Sequence, residues 1–569
     1  MINNFIPRAA LVLGILAAST VPAGVAHSHD VPSPEVQKAS AVRFAAPKAG
    51  LAGGWAAPRY PDGFRGRSLT GADPRHRATR KLAATTRSSA EEPKLTIDVT
   101  DRNGKLPATD DAPAASLIAL DGSAWLSADL QDGHAEGRLP QGRYAVLAWV
   151  TTRNGDSTST SLVYLPDVAI ETDTRLQLDA RKARPLTPGL DRADARIRSA
   201  SAFVSQKIGG EVTTIAMLMG TDLYVTPTDP AAGLALRSQA VLTKNGAEYD
   251  SPYVYNIAHE QTGRVGDTPR TVATKDLAAV RMRYGSEGGT ACGFSHSGVN
   301  WGIGGQIGEP VGVGALPTNR TEYFTPGVTW ATDVVIGEAG CGFEEADIRT
   351  REERFPRAGT YARDWNVGPF GLASGTAIWG THEGGEPALA VPMLSTWNTR
   401  SQIAPYVGTT GTSTLRNAAG EVVYTSDQPG TAHKWPAPPL GAYTLTLEAN
   451  RTVPWSDLTT RQRAVIRFMV TDSAPRPLPA ISYRTPLDAR SRAQAGALQP
   501  ITLAPTGSAA APTLRVSYDD GRSWTGVPVR KSGAGWIADV RNPASGHVSL
   551  NAAVPGVIDH TLIRAYGIR

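Results

Sequence analysis

Glycine and proline constrain this chain more than any other feature of it. The 569 residues hold 58 Gly and 42 Pro, spread along the length without a repeat. Glycine loses the most backbone freedom on folding, and proline removes a hydrogen-bond donor and clashes inside helices. Few long helices and frequent turns are therefore expected, which rules out a helical bundle, a coiled coil and a multispan helical membrane protein. With 41% hydrophobic and 19% charged residues the composition is globular. At ~100–200 residues per domain the length implies several domains.

The first residues read as an export signal. Arg8 precedes an apolar run from Ala9 to Ala18, and Ala23-Gly24-Val25-Ala26 supplies small residues for cleavage after Ala26. The run is shorter than the ~20 residues a membrane anchor needs, and no later segment is long enough, so no membrane span is expected. Residues 27–92 read as a basic Pro/Gly/Ala-rich linker or propeptide. Between Asp30 and Ala90 eleven basic residues face four acidic ones, so this segment more than accounts for the net charge of +5. The rest of the chain is mildly acidic and lacks interleaved aromatic and basic residues, which argues against nucleic acid as a partner.

From Pro93 the pattern changes to alternation. Leu95, Ile97 and Val99 share one face with Thr96, Asp98 and Thr100 on the other, and Asp101-Arg102-Asn103-Gly104 reads as a turn. Strands are expected at Ser116–Leu120, Ala124–Leu130, Gly142–Thr151, Ser161–Leu165 and Arg175–Leu178, giving a β-sandwich over residues 93–183. A Pro-x-Gly-x-Tyr corner precedes a strand at Tyr144 and again at Tyr443. Residues 184–398 are expected to form one or two β-rich domains, with strands such as Thr213–Met219, Ala240–Thr243, Ala279–Tyr284 and Thr329–Val335. The Gly-rich stretch Gly285–Gly314 is expected as loop or tight hairpin. A further sandwich is expected over 399–475, and a C-terminal fibronectin III-like one over 476–569. The fold class is thus all-β, a tandem of β-sandwiches.

Cys292 and Cys341 are the only cysteines, and in an exported chain such a pair reads as one disulfide, with two buried thiols as the alternative. Ser517-Tyr518-Asp519-Asp520-Gly521-Arg522-Ser523-Trp524 fits the Asp-box hairpin, a structural motif in which Ser517, Asp519, Gly521 and Trp524 are the defining positions. Trp301, Trp330, Trp365, Trp379, Trp397 and Trp435 cluster in the middle of the chain. They either line a carbohydrate platform or fill sandwich cores.

Catalytic signatures fail on spacing. His259-Glu260 and His382-Glu383 lack the second His of a zinc helix, so no metal site is expected. Gly302–Gly308 follows no strand and opens no helix, so no nucleotide cofactor is expected, nor any other. Ser295 and His296 are adjacent, but the segment is not a nucleophile elbow. Were there a hidden hydrolase site in the middle region, Ser295, His296, Glu344 and Glu345 would be its first suspects.

A resemblance is carried by a collinear series of segments: Leu139–Tyr144, Thr172–Lys182, Asp276–Tyr284, Arg320–Tyr323, Trp365–Gly371, Val516–Trp524 and Ile563–Arg569. Together they resemble the long non-catalytic C-terminal region of secreted subtilisin-like (S8 family) serine peptidases of Streptomyces and related actinobacteria. The first sandwich also resembles carboxypeptidase regulatory-like domains. The catalytic segments of that family (Asp-Ser/Thr-Gly, His-Gly-Thr and Gly-Thr-Ser-Met-Ala) do not occur, so no catalytic residue carries over. The resemblance implies an accessory module detached from its enzyme. With the export signal, the tandem sandwiches and the missing catalytic segments, the expectation is a secreted, extracellular monomer that binds a protein or polysaccharide.

Overall fold

The computed structural model describes residues 80–81, 92–107, 114–266, 271–301, 310–339, 341, 347–374, 380–381, 387–401, 407–433, 439–471 and 477–569. The expected signal and nearly all of the basic linker lie outside them. Among the described residues no α-helix occurs; two three-residue 3-10 turns, Ala180–Lys182 and Thr274–Asp276, interrupt an all-β chain of stacked sheets. No helix among these residues is long and apolar enough to cross a membrane.

Residues 94–365 build sheets that pack face on face. A three-stranded sheet centres on Lys94–Thr100, flanked by His134–Arg138 and Thr174–Asp179. It covers one face of a seven-stranded sheet whose middle strands are Gly142–Asn154 and Ser157–Ile170. The run from Tyr144 to Val150 is apolar throughout because both faces of this second sheet are covered. Val146 and Ala148 pack with Leu95 and Ile97 on one side, while Ala145 and Leu147 pack on the other with Ala202, Val204 and Leu236. Those last residues belong to a third sheet, seven strands ordered from Glu211–Gly220 to Gly359–Trp365. Its far side, including Val280, Met282 and Phe324, packs against Trp330, Val334 and Ile336 of a fourth, five-stranded sheet.

Strand pairing crosses the boundary expected at 183/184. Leu223–Val225 pairs in parallel with the 160–162 stretch, and Arg184–Pro185 pairs beyond it, so the second sheet borrows strands from the next region. Packing and strand pairing also run across the boundaries expected at 398/399 and 475/476. Val367, Phe370 and Leu389 share one core with Leu415, Leu445 and Tyr566. Arg461–Val470 pairs antiparallel with Ile558–Ile568, Arg461 opposite Ile563, so one sheet runs across both expected domains. Pairing removes two sheet edges that would otherwise expose unpaired backbone groups.

Both expected tyrosine corners are closed by the phenol. Tyr144 Oη donates to Pro140 O and Tyr443 Oη to Pro439 O, each at 2.8 Å. A third corner occurs at Tyr361, which donates to Arg357 O at 2.9 Å, again two residues after a glycine, Gly359. Removing one such hydroxyl, as in Tyr443→Phe, is expected to lower stability by about 1 kcal/mol, read as a shift of the thermal midpoint.

Candidate functional site

The structure separates the two adjacent hydrolase suspects. Ser295 and His296 lie on Ala291–Val299, and successive residues of a strand point to opposite faces. Ser295 points between the third and fourth sheets, where its Oγ accepts from Arg320 Nη2 at 2.6 Å. There Glu322 accepts from Arg320 Nη2 at 2.6 Å and from Tyr284 Oη at 2.5 Å, all of these groups being buried. Burial pushes the Tyr284 phenol far up, out of the range in which it ionises in water. The network is filled by its own members and offers no free nucleophile. His296 is on the other face and has no serine partner. Glu344 and Glu345 lie outside the described residues.

Cys292 and Cys341 form a disulfide, from the strand Ala291–Val299 to the turn that follows Thr329–Glu338. The Asp-box residues hold a hairpin between Thr513–Ser517 and Thr525–Val527. Asp519 accepts from the Ser523 backbone N at 2.9 Å and from Ser523 Oγ at 2.6 Å, and Trp524 Nε1 donates to Gly521 O at 3.0 Å. These hydrogen bonds hold the Asp519 carboxyl well below the usual carboxylate range. Every Asp519 contact is internal to the turn, so its role is structural.

The expected tryptophan platform is not assembled. Trp330 and Trp365 are fully buried core residues, Trp330 edge-on to Phe324, because the sheet face they occupy is covered by its neighbour. Trp301 is half-buried against the same core. Trp379 and Trp435 lie outside the described residues. Trp397 alone of the remaining four stands out, with 44% of its surface open.

The local sequence explains why Trp397 is held out. Thr396-Trp397-Asn398-Thr399 is a tight turn: Thr396 N donates to Thr399 O at 3.0 Å, and Thr399 N donates to Thr396 Oγ1 at 3.1 Å. Thr396 Oγ1 also bonds Asn398 Oδ1 at 2.9 Å. Ser395 and Gly371 exchange two backbone bonds of 2.8 Å, and Arg351 Nε reaches Asn398 O at 3.3 Å, so both ends of the turn are anchored. The Arg484 guanidinium stacks 4.3 Å from the Trp397 ring centroid and has no carboxylate partner among the described residues. An open indole on an anchored turn, stacked by a guanidinium, is the side-chain chemistry enriched at binding hot spots. Tryptophan count alone could not locate this site. The polar Thr-x-Asn-Thr frame around Trp397 is the local signal that sets it apart from the core tryptophans.

A second polar cluster welds the middle sheets to the C-terminal ones. Glu287 receives Arg349 Nη2 at 2.9 Å and Arg451 Nη1 at 2.6 Å, and all three side chains are buried. Burial alone would raise the Glu287 carboxyl, but the two guanidinium groups outweigh it and hold it below its ordinary value. The loop carrying Glu287 has no room for larger residues: a Cβ on Gly289 would lie 2.5 Å from Trp455 O. No sequence pattern links these residues, which come from three distant segments.

No family model matches this sequence, and no curated protein matches it. Twenty-eight chains of solved structures do match. One is the crystal structure of Down Syndrome Cell Adhesion Molecule (DSCAM) isoform 1.30.30, N-terminal eight Ig domains. It is 10% identical over 83% of this chain and 84% of that one, with a TM-score of 0.12, a likeness too slight to carry an argument. The strand order and cores establish an all-β protein of tandem, fused β-sandwiches.

Proposed function

We propose that this chain is an exported, non-catalytic β-sandwich protein that binds an extracellular protein or polysaccharide. In this reading it is an accessory module of the kind found C-terminal to subtilisin-like peptidases, and it makes contact through the Trp397 turn. The observation that carries the reading is the open Trp397 indole on its hydrogen-bonded turn, stacked by the Arg484 guanidinium. Export is supported by the apolar run Ala9–Ala18 with its small-residue cleavage site, and by the Cys292–Cys341 disulfide. The competing hydrolase reading loses its Ser–His pair, because the two residues occupy opposite faces of one strand.

Trp397→Ala is expected to weaken binding to the retained polymer or protein at least ~10-fold, as truncation of an aromatic anchor does, while leaving the thermal midpoint nearly unchanged. Binding isotherms of the parent and variant chains decide it. Equal affinity would remove the turn from the contact surface.

A further inference from the structure

One face of the five-stranded sheet carries two titratable side chains with buried polar atoms that find no hydrogen-bond partner among the described residues. His296 on Ala291–Val299 sits directly opposite Asp333 on Thr329–Glu338, so the two side chains share that face as cross-strand neighbours. Asp333 is 4% exposed, and neither of its carboxyl oxygens has a hydrogen-bond partner. The His296 ring is half-buried, and its Nε2 atom is buried and likewise without one. They do not bond each other, so the pair is not held as an ion pair. The next strand, Asp347–Arg354, places Thr350 opposite Asp333 and Glu352 opposite Ala331. Glu352 therefore lies diagonal to Asp333 on that side, with a charge of the wrong sign to stabilise a carboxylate, and one strand further out Arg400 lies opposite Thr350 on the same row.

We propose that His296 and Asp333 form a charge-silent couple: both enter the folded sheet uncharged, so that folding moves one proton from the imidazole to the carboxyl with no net proton uptake. An unpartnered buried charge is far costlier than an unpartnered neutral group, which is the physical reason for both to be neutral. The electrostatics agree. Burial first, and Glu352 second, push the Asp333 carboxyl up to about 7, while burial pushes the His296 imidazole down to about 4.

The signs give the couple its function. A raised carboxyl loses stability as pH climbs from its unfolded value of 3.8 to about 7, because the folded state keeps a proton that the unfolded state has released. A depressed imidazole loses stability as pH falls from 6.5 to about 4, because the unfolded state takes a proton that the folded state refuses. Across the shared window the two slopes oppose and cancel. The sheet is thereby buffered against pH over the weakly acidic range, a property suited to a chain exposed to an uncontrolled medium.

The test is the stability of the full chain from pH 4 to 8 by chemical denaturation, for the parent, Asp333→Asn, His296→Gln and the double variant. Relative to the parent, the native-to-unfolded ratio of Asp333→Asn is expected to rise about tenfold per pH unit between roughly 4 and 7. That of His296→Gln is expected to fall by about the same factor per unit between roughly 4 and 6.5, and the double variant is expected to run parallel to the parent across that window. A pH-independent offset in either single variant overturns the couple. Should a variant not fold, deuterium exchange at the His296 ring C–H of the parent chain, read by mass spectrometry, answers the same question. An imidazole still neutral at pH 5 supports the couple, and one that titrates near its ordinary value refutes it.

Discussion

Glu287→Gln is expected to destabilise the protein by about 3–5 kcal/mol, because it leaves Arg349 and Arg451 buried with no countercharge. Glutamine preserves the shape and one acceptor oxygen, so the loss isolates the charge. Taking guanidinium groups out of water is costly, and only the carboxylate offsets it. The cluster also joins elements far apart in the chain: Glu287 follows Ala278–Tyr284, Arg349 is on Asp347–Arg354, and Arg451 ends Gly441–Arg451. Backbone bonds run beside it, Ser286 N to Ala489 O at 3.0 Å and Gly289 N to Trp455 O at 3.2 Å. Loss of the charge should therefore loosen the junction itself, seen as faster amide exchange in residues 285–289 and 453–458. The carboxyl is held low, so its contribution is complete above the ordinary Glu range and is lost as pH falls through the depressed value. A denaturation curve indistinguishable from the parent's at pH 7 would contradict this account of the junction. Neutralising Glu448, whose pair with Arg463 is half-exposed on both sides, is expected to change little by comparison.

Replacing both Cys292 and Cys341 by serine is expected to cost about 4 kcal/mol, the loop-closure entropy of a cross-link of this length in the unfolded chain. The bridge spans a sequence separation of 49 and encloses the strands Val311–Leu316, Thr318–Phe324 and Thr329–Glu338. Two of the enclosed strands belong to the fourth sheet, and Thr318–Phe324 belongs to the third. Opening the loop therefore frees chain segments destined for both layers in the unfolded ensemble. The same loss is expected when the parent chain is reduced before denaturation. Identical midpoints for oxidised and reduced chains would show that the bridge does not constrain the unfolded state.

The sequence pattern exposed the local structure and hid the long-range joins. Leu95, Ile97 and Val99 alternate because one face of their sheet is covered and the other is not, and that reading of residues 94–100 holds. The Asn103-Gly104 turn is equally local: Asp101 Oδ1 receives the backbone N of Asn103 and of Lys105, each at 2.8 Å, and Gly104 sits at φ 75°. The uninterrupted apolar run Tyr144–Val150 carried the signal for a doubly covered sheet, since a solvent-facing sandwich strand would alternate. Read that way, it would have replaced a free-standing first domain with a packed layer. By contrast, the three-residue strand Leu223–Val225 is too short to announce which sheet it joins. The pairing of Arg461–Val470 with Ile558–Ile568 is a contact about a hundred residues apart in sequence, with no local mark. The site follows the same rule. Trp330 and Trp397 differ only in what covers them, and His296 meets Asp333 only through strand register.

The most direct test of the binding-module account is retention of residues 27–569 on washed actinobacterial cell wall, chitin, cellulose and native culture supernatant proteins at low and high salt. The account predicts salt-resistant retention on one polymer or one secreted protein, lost in the Trp397→Ala chain, with no hydrolysis of the retained partner. Retention that disappears with salt would assign the contact to the basic segment before residue 93 rather than to the folded sheets. Retention on none of these, or turnover of the partner, would contradict the account.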